Sequence, residues 1–159
     1  MAKGNEIVVS ENPRGRFTEG TIRTAEKPGT LVQIDVSEGL NANGRPQFEA
    51  FDAGADGDQR LIAVLVEDNL SGKIATDAYA AGDQCRVYFP LPGDEINMLV
   101  ENLAGTGDDH SFGDLLMAND GTGKLVATTG SPESEPFQLL EAITDPTADT
   151  LAHCIFTGY

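Results

Sequence analysis

Apolar residues in this chain occur in short runs, each about the length of one β-strand, and turn-forming residues separate the runs. The clearest runs are Leu31–Val36, Leu61–Val66, Cys85–Phe89, Ile96–Val100 and Leu151–Phe156. The chain also contains 18 glycines and 8 prolines, a composition that favours frequent turns. The pattern predicts a mainly β fold of about eight or nine short strands, a sandwich or a small barrel, with helix as a minor component.

A hairpin is predicted near the C-terminal end of this series. The run Asp114–Ala118 and the run Lys124–Thr129 flank the segment Asn119–Gly123, which contains Asp-Gly followed by a second Gly. Glycine adopts positive φ angles without a steric penalty, and tight hairpin turns require such angles. We therefore expect the two runs to pair as antiparallel strands.

The first residues differ from the rest of the chain. Residues 1–27 are predicted to form an extended N-terminal arm that contains the β-prone segment Phe17–Ile22, and residues 28–159 are predicted to form the β-rich body. Such an arm would supply a strand to a sheet of another protein. The alternative is that this segment is an N-terminal strand of the same domain.

Charge restricts the partners of this protein. The chain has 26 acidic and 10 basic side chains, a formal net charge of −16. Residues 1–30 hold five basic and four acidic side chains, so the acidic excess lies in the body. Phosphate backbones and anionic lipid surfaces would repel such a body, so we expect neither nucleic acid nor membrane as a partner. No apolar run reaches the roughly 18 residues of a membrane span, and no secretory signal is recognised, so synthesis in the cytoplasm is expected.

No motif for a metal or a cofactor is complete, so we expect neither. The acidic loop Asp52–Asp58 does not fit an EF-hand. Counted from Asp52, positions three and twelve, which must supply oxygen ligands, are Gly54 and Ala63. The segment Gly121–Lys124 lacks the first glycine and the hydroxyl residue of a phosphate-binding loop. We interpret the first segment as a solvated loop and the second as a hairpin turn.

The residues that most often act as nucleophiles and bases are also poorly placed for catalysis. Cys85 and Cys154 lie inside apolar β-like runs, where two buried free thiols are expected. His110 is expected in a solvated Gly-rich loop and His153 within a strand, and neither has a metal-ligand spacing. The sequence therefore predicts a protein that is not an enzyme and has no catalytic residues.

Several short segments recur in a characteristic order along the chain. They are Ala81–Asp83, Gly113–Met117, Asp120–Gly121, Gly123–Ala127, Leu140–Ala142, Asp145–Asp149 and Phe156–Tyr159. Together they resemble a β-module of tailed-phage capsid decoration (cement, or head-stabilising) proteins. The resemblance covers roughly residues 20–159 and is strongest from residue 75 onward.

This resemblance implies a structural protein of the virion that is made in the host cytoplasm and then binds the outer surface of the expanded capsid. It further implies a β-tulip-like or small-barrel body, the major capsid protein as the partner, a homotrimer as the binding form, and stabilisation of the capsid. The capsid contacts are expected on the arm, at Arg14, Arg16, Phe17, Ile22 and Arg23. The alternative function is a β-sandwich module of a head fibre or of host adhesion.

Overall fold

The computed structural model describes residues 7–10, 16–52, 61–68, 70–101, 109–119, 121–127, 136–144 and 148–158. Within these residues the regular structure consists of β-strands, and there is no helix. The strands are Val8–Ser10 (β1), Arg16–Ile22 (β2), Leu31–Ile34 (β3), Gln47–Ala50 (β4), Ile62–Val66 (β5), Gln84–Phe89 (β6), Glu95–Val100 (β7), Leu115–Ala118 (β8), Leu125–Ala127 (β9), Phe137–Leu139 (β10) and Thr150–Phe156 (β11). The prediction of a mainly β fold is confirmed, and the arrangement is a barrel rather than a sandwich.

Strands β2 to β6 form a closed barrel in the order β2-β4-β3-β5-β6, which we call the first barrel. All of its neighbouring strands are antiparallel except β2 and β4, which run parallel through Thr21–Gln47 and Ile22–Phe48. Closure leaves the sheet with fewer free edges, because the first and last strands in the order pair with each other.

The remaining strands form a second sheet in the order β1-β7-β11-β10-β8-β9. Strand β7 also meets β9 in parallel at the pair Val100–Leu125, and the N–H of Glu101 donates to the carbonyl of Leu125 at 2.9 Å. This contact closes β7-β11-β10-β8-β9 into a second ring of five strands, the second barrel. Strand β1 lies outside the ring, paired with the first half of β7.

The two barrels have the same topology and the same register. In each, the first strand runs parallel to the third, and every other neighbouring pair is antiparallel. The matching ladder pairs, read once around each barrel, are Ile22–Phe48 with Val100–Leu125, Ile34–Phe48 with Ala118–Leu125, Val32–Ala63 with Leu116–Phe137, Leu65–Val87 with Leu139–Cys154, and Thr18–Val87 with Ile96–Cys154. The chain therefore contains two copies of one five-stranded arrangement, a structural duplication.

The buried side chains follow the same correspondence. Seven positions that are buried in the core of the first barrel match buried positions of the second. The matched pairs are Ile22 with Val100, Val32 with Leu116, Phe48 with Leu125, Ala63 with Phe137, Leu65 with Leu139, Cys85 with Ala152, and Val87 with Cys154. Among these pairs, the phenylalanine is Phe48 in the first barrel and Phe137, at a different position, in the second. Each core is therefore filled by a different combination of side-chain sizes.

The two barrels pack against each other directly. Leu31, Val64 and Tyr88 of the first barrel belong to the same hydrophobic cluster as the core of the second. Between the barrels, the N–H of Leu31 donates a hydrogen bond to the carbonyl of Gly123 at 2.8 Å. A Cβ on Gly123 would lie 2.1 Å from the carbonyl oxygen of Leu31, and its φ of 62° also favours glycine. This close backbone contact fixes how the barrels meet.

The structure corrects the boundary of the predicted arm. Strand β2 pairs with β6 along six residue positions and with β4 at two, so residues 16–22 are a barrel strand and not a free arm. The side chains of Ile7 and Ile22 are fully buried. The alternative, an N-terminal strand of the same body, describes β2 better because its apolar side chains complete the cores. Residues 1–6 and 11–15 lie outside the described residues.

Several local predictions can be compared with the described residues. The hairpin is confirmed, since β8 and β9 pair antiparallel at Ala118–Leu125 around Gly121 and Gly123, whose φ angles are 76° and 62°. The prediction that His110 lies in a solvated loop was wrong. The residue is buried, and its backbone exchanges two 2.9 Å hydrogen bonds with that of Ile143. Most of the acidic loop 52–58 lies outside the described residues. Nothing in the described part is a helix that could cross a membrane.

Candidate interaction surface

The residues predicted to contact a partner separate into different environments. Arg16 and Phe17 begin β2 and are exposed, while Ile22 is fully buried at the other end of the strand. Arg23 follows the strand and is exposed. Arg14 lies outside the described residues. Ile22 is therefore removed from the predicted contact set, because presenting it to a partner would require opening the first barrel.

Phe17 forms the apolar centre of this surface. It is 38% exposed, and its ring packs on Tyr88 with the centroids 4.8 Å apart. The guanidinium of Arg86 lies over the same ring, 4.1 Å from its centroid. A cation over an aromatic face is attracted by the negative ring face. The three side chains thus place an aromatic ring and a positive charge side by side on the outer wall of β2 and β6.

A groove of about 570 Å³ runs beside this cluster. One wall is formed by Phe17, Thr18 and Glu19 of β2 together with Arg86, and the other by the turn at residues 44–46 that leads into β4. The groove exists because β4 pairs with β2 only at Thr21 and Ile22 and diverges from its first half. A groove of this size is typical of sites that bind a small molecule or a short segment of chain.

The groove is the place where basic residues meet in an acidic protein. Arg45 forms an ion pair with Glu19 across the groove, and Gln84 also donates to Glu19 at 3.4 Å. Among the described residues, no carboxylate forms an ion pair with Arg86. Within the described part of the chain, the guanidinium of Arg86 contacts the ring of Phe17 rather than a carboxylate.

Arg23 has an internal role instead. Its guanidinium pairs with Asp35 and lies 3.7 Å from Glu38. Burial raises the pKa of the Asp35 carboxyl, but hydrogen bonds from Ser37 and Arg23 outweigh it and lower the pKa to about 2. The Asp35 side chain is only 2% exposed. Because its charge is already compensated, Arg23 is a weaker candidate for partner contact than the sequence predicted.

The cysteines are buried, and His153 contacts a carboxylate. Cys85 and Cys154 are free and buried, as predicted, and burial raises the pKa of each thiol to about 12. His153 lies in β11, with its ring 2.9 Å from a carboxylate oxygen of Glu95. The described residues contain no cluster of potential ligands that could hold a metal ion.

Of the residues that line the groove, the predicted contact set contained Phe17 but not Arg45 or Arg86. Arg45 and Arg86 are two of only five basic residues between positions 31 and 159. Their scarcity in an acidic body was a usable signal. Their approach to Phe17 was not readable from the sequence, because it depends on β2 pairing with β6 and on the turn before β4.

Comparison with known proteins identifies the fold. No known protein family matches the sequence. No curated protein matches it either. A solved structure with a similar fold is that of the "head fiber gp8.5 N base in bacteriophage phi29", with a TM-score of 0.53 and 12% sequence identity. The alignment covers 90% of this chain and 94% of that chain, so the likeness extends through both barrels.

Proposed function

We propose that this protein is a structural component of a tailed-phage virion that binds the outer surface of the expanded capsid and stabilises it. The observation that carries the proposal is the likeness of fold to the base of a phage head fibre along nearly the full length of both chains. The resemblance of its C-terminal segments to capsid decoration proteins agrees with this assignment. The major capsid protein is the proposed partner.

The charge of the protein supports the outer side of the capsid. A subunit with a formal net charge of −16 would be repelled by packaged DNA. The working parts of such a protein are contact surfaces, and the buried, high-pKa thiols are poorly suited to nucleophilic chemistry. We therefore assign it no enzymatic activity.

Stabilisation follows from linkage. A protein that binds the expanded lattice and not the disrupted one lowers the free energy of the lattice by its free energy of binding. We propose a homotrimer as the binding form, since contacts with several capsid subunits at once raise avidity by about 10²–10⁴. Salt screens the repulsion between three acidic subunits, so trimer formation would become stronger as the salt concentration rises.

A second candidate function is the base of a head fibre or a host-adhesion module. It is favoured by the same structural neighbour, which is the base of a head fibre. The two functions differ in what the protein does once it is attached. A decoration protein raises capsid stability, whereas a fibre base or adhesion module changes binding to host cells.

The test uses the purified full chain and expanded capsids that lack it. We expect saturable, stoichiometric binding and a higher temperature of capsid disruption. Binding without any change in that temperature, together with a loss of host attachment when the protein is missing, would support the fibre or adhesion function instead. No binding at any salt concentration would reject both.

Variants on the candidate surface locate the contact. Phe17→Ala and Arg16→Glu are expected to weaken capsid binding, because both residues are exposed at the start of β2. Leu70→Ala is the matched control, since Leu70 is 97% exposed in a loop far along the chain from β2. Equal binding by all three variants would place the contact elsewhere, and thermal unfolding of each variant would identify loss of fold.

A further inference from the structure

In the second barrel, β1 fills the position beside the first half of β7. There, β9 reaches β7 only at Val100, and β1 covers the first half of β7 through Val8–Ile96 and Ser10–Glu95. The N–H of Asn97 donates to the carbonyl of Ile7 at 2.6 Å. The chain thus completes the second barrel with a short added strand.

The equivalent position of the first barrel has no such strand among the described residues. Glu19 is the register equivalent of Asn97, since Glu19–Arg86 matches Asn97–His153. The N–H groups of Thr21 and Arg23 donate toward the β4 side, to Pro46 and Phe48, while that of Ile22 donates to Asp83 on the opposite side. Because backbone direction alternates along a strand, the N–H of Glu19 also points to the β4 side, into the groove.

The groove therefore lies where β1 lies in the second barrel. It is bounded by β2 and by the turn at residues 44–46, and its volume is about 570 Å³. A strand of three residues, such as β1, is about 10 Å long. On the side away from β6, no described strand pairs with the first half of β2, so its main chain can donate and accept there. The walls offer the ring of Phe17 and the charge of Arg86.

We propose that the groove beside β2 accepts an extended acidic segment of a partner protein, which adds as a strand antiparallel to β2. The direction is that of β1 against β7. The acidic character follows from Arg86 at the wall, since Glu19 already compensates the charge of Arg45. The chain's own example fits this description, because the segment Ile7–Ser10 is apolar and β-prone and is bracketed by Glu6 and Glu11. Main-chain pairing provides affinity and the side chains provide selection.

A second copy of this chain is a poorer occupant. Its β1 is already engaged in its own second barrel, where Ile7 is fully buried. The proposal does not depend on the partner being a capsid protein, so it can fail or succeed independently of the proposed function.

Amide hydrogen exchange of the free full-length protein gives the first test. Asn97 is expected to exchange slowly, because its N–H is bonded to Ile7, and Glu19 is expected to exchange fast. A slow Glu19 amide in the free monomer would mean that the edge is already covered and would overturn the proposal. A Glu19 amide that becomes slow only as protein concentration rises would make a second copy the occupant and would also overturn it.

A synthetic peptide of residues 5–12 is the probe for the second test. We expect it to bind the full-length protein and to protect the Glu19 amide from exchange. A peptide with Glu6→Lys and Glu11→Lys should bind about tenfold more weakly, the effect of losing one charge-assisted contact. Binding that replaces β1 in the second barrel and leaves Glu19 unprotected would reject the groove as the site.

Two further comparisons separate strand addition from simple charge attraction. Methylating the peptide nitrogens that face β2 should abolish binding, whereas methylating the alternate nitrogens should not. Arg86→Glu should weaken binding by about tenfold or more, and Arg86→Gln by less. Lys27→Glu, an equal change of charge outside the groove, is the control. Equal effects of both methylation patterns, or of Arg86→Glu and Lys27→Glu, would contradict the proposal.

Discussion

The ring of Phe48 lies directly over the α-carbon of Gly20, on the neighbouring strand of the first barrel. A Cβ at Gly20 would come within 2.4 Å of Phe48 Cε2 and 2.5 Å of the carbonyl oxygen of Pro46. In the second barrel the equivalent residues are Met98 and Leu125. The same two positions thus hold the smallest residue with a large ring in one barrel and two medium side chains in the other.

Gly20→Ala is expected to destabilise the protein. The added methyl group would overlap both an aromatic ring and a backbone oxygen, and overpacking of this kind costs about 1–3 kcal/mol. Urea unfolding at constant pH measures the change. The double variant Gly20→Ala with Phe48→Leu should recover part of the loss relative to the sum of the single variants, because the ring overlap is removed while the overlap with Pro46 remains. Additive effects would contradict the contact.

Removing the first strand is expected to weaken the second barrel without destroying the first. Deletion of residues 2–10 removes β1 and the buried side chain of Ile7, whose burial alone contributes about 1.5–3 kcal/mol. The Asn97 amide should then exchange faster, since its acceptor is gone. Deletion of residues 2–22 should prevent folding, because it also removes β2 from the first barrel. A folded, cooperative product of the longer deletion would contradict the barrel.

Acid stability is expected to depend on Asp35 and its partner Arg23. The folded pKa of Asp35 is about 2, below the value of about 3.9 for an unfolded chain. The carboxylate therefore stabilises the fold above about pH 4, and this contribution is lost as the pH falls toward 2. Arg23→Ala should raise the pKa of Asp35 and move the loss to higher pH.

The carboxyl carbon of Asp35, followed by NMR between pH 1.5 and 6, gives that pKa directly. Lys27→Ala is the control, since it removes one positive charge from an exposed position without an ion pair to Asp35. An Asp35 pKa that stays at its wild-type value in Arg23→Ala would show that Ser37 and the backbone hydrogen bonds hold the carboxylate alone.

The thiols are expected to be inert in the folded protein. Burial raises the pKa of Cys85 and of Cys154 to about 12, so almost no thiolate is present at pH 8. A disulfide exchange reagent should modify neither cysteine until denaturant is added, and both after unfolding. Rapid reaction of one thiol in native buffer would show that its barrel opens locally.

The local elements of this protein, its strands and turns, could be predicted from the residues alone. Alternating and short apolar runs mark strands because a strand buries every second side chain or is buried on both faces. The Asp-Gly and Gly pair between β8 and β9 marks a turn because only glycine adopts the required φ angles easily. These signals are local in the chain, so no knowledge of the partner strands was needed.

The pairing of the strands, and with it the position of the candidate surface, depends on contacts between residues that are distant in the chain. The turn at residues 90–94 joins β6 to β7, yet these consecutive strands belong to different barrels. Residues 16–22 were predicted as part of an arm, and the pairing of β2 with β6 and β4 makes them a barrel strand. The duplication is visible in the register and not in the residues, because different sets of side-chain sizes can fill equivalent cores to the same density.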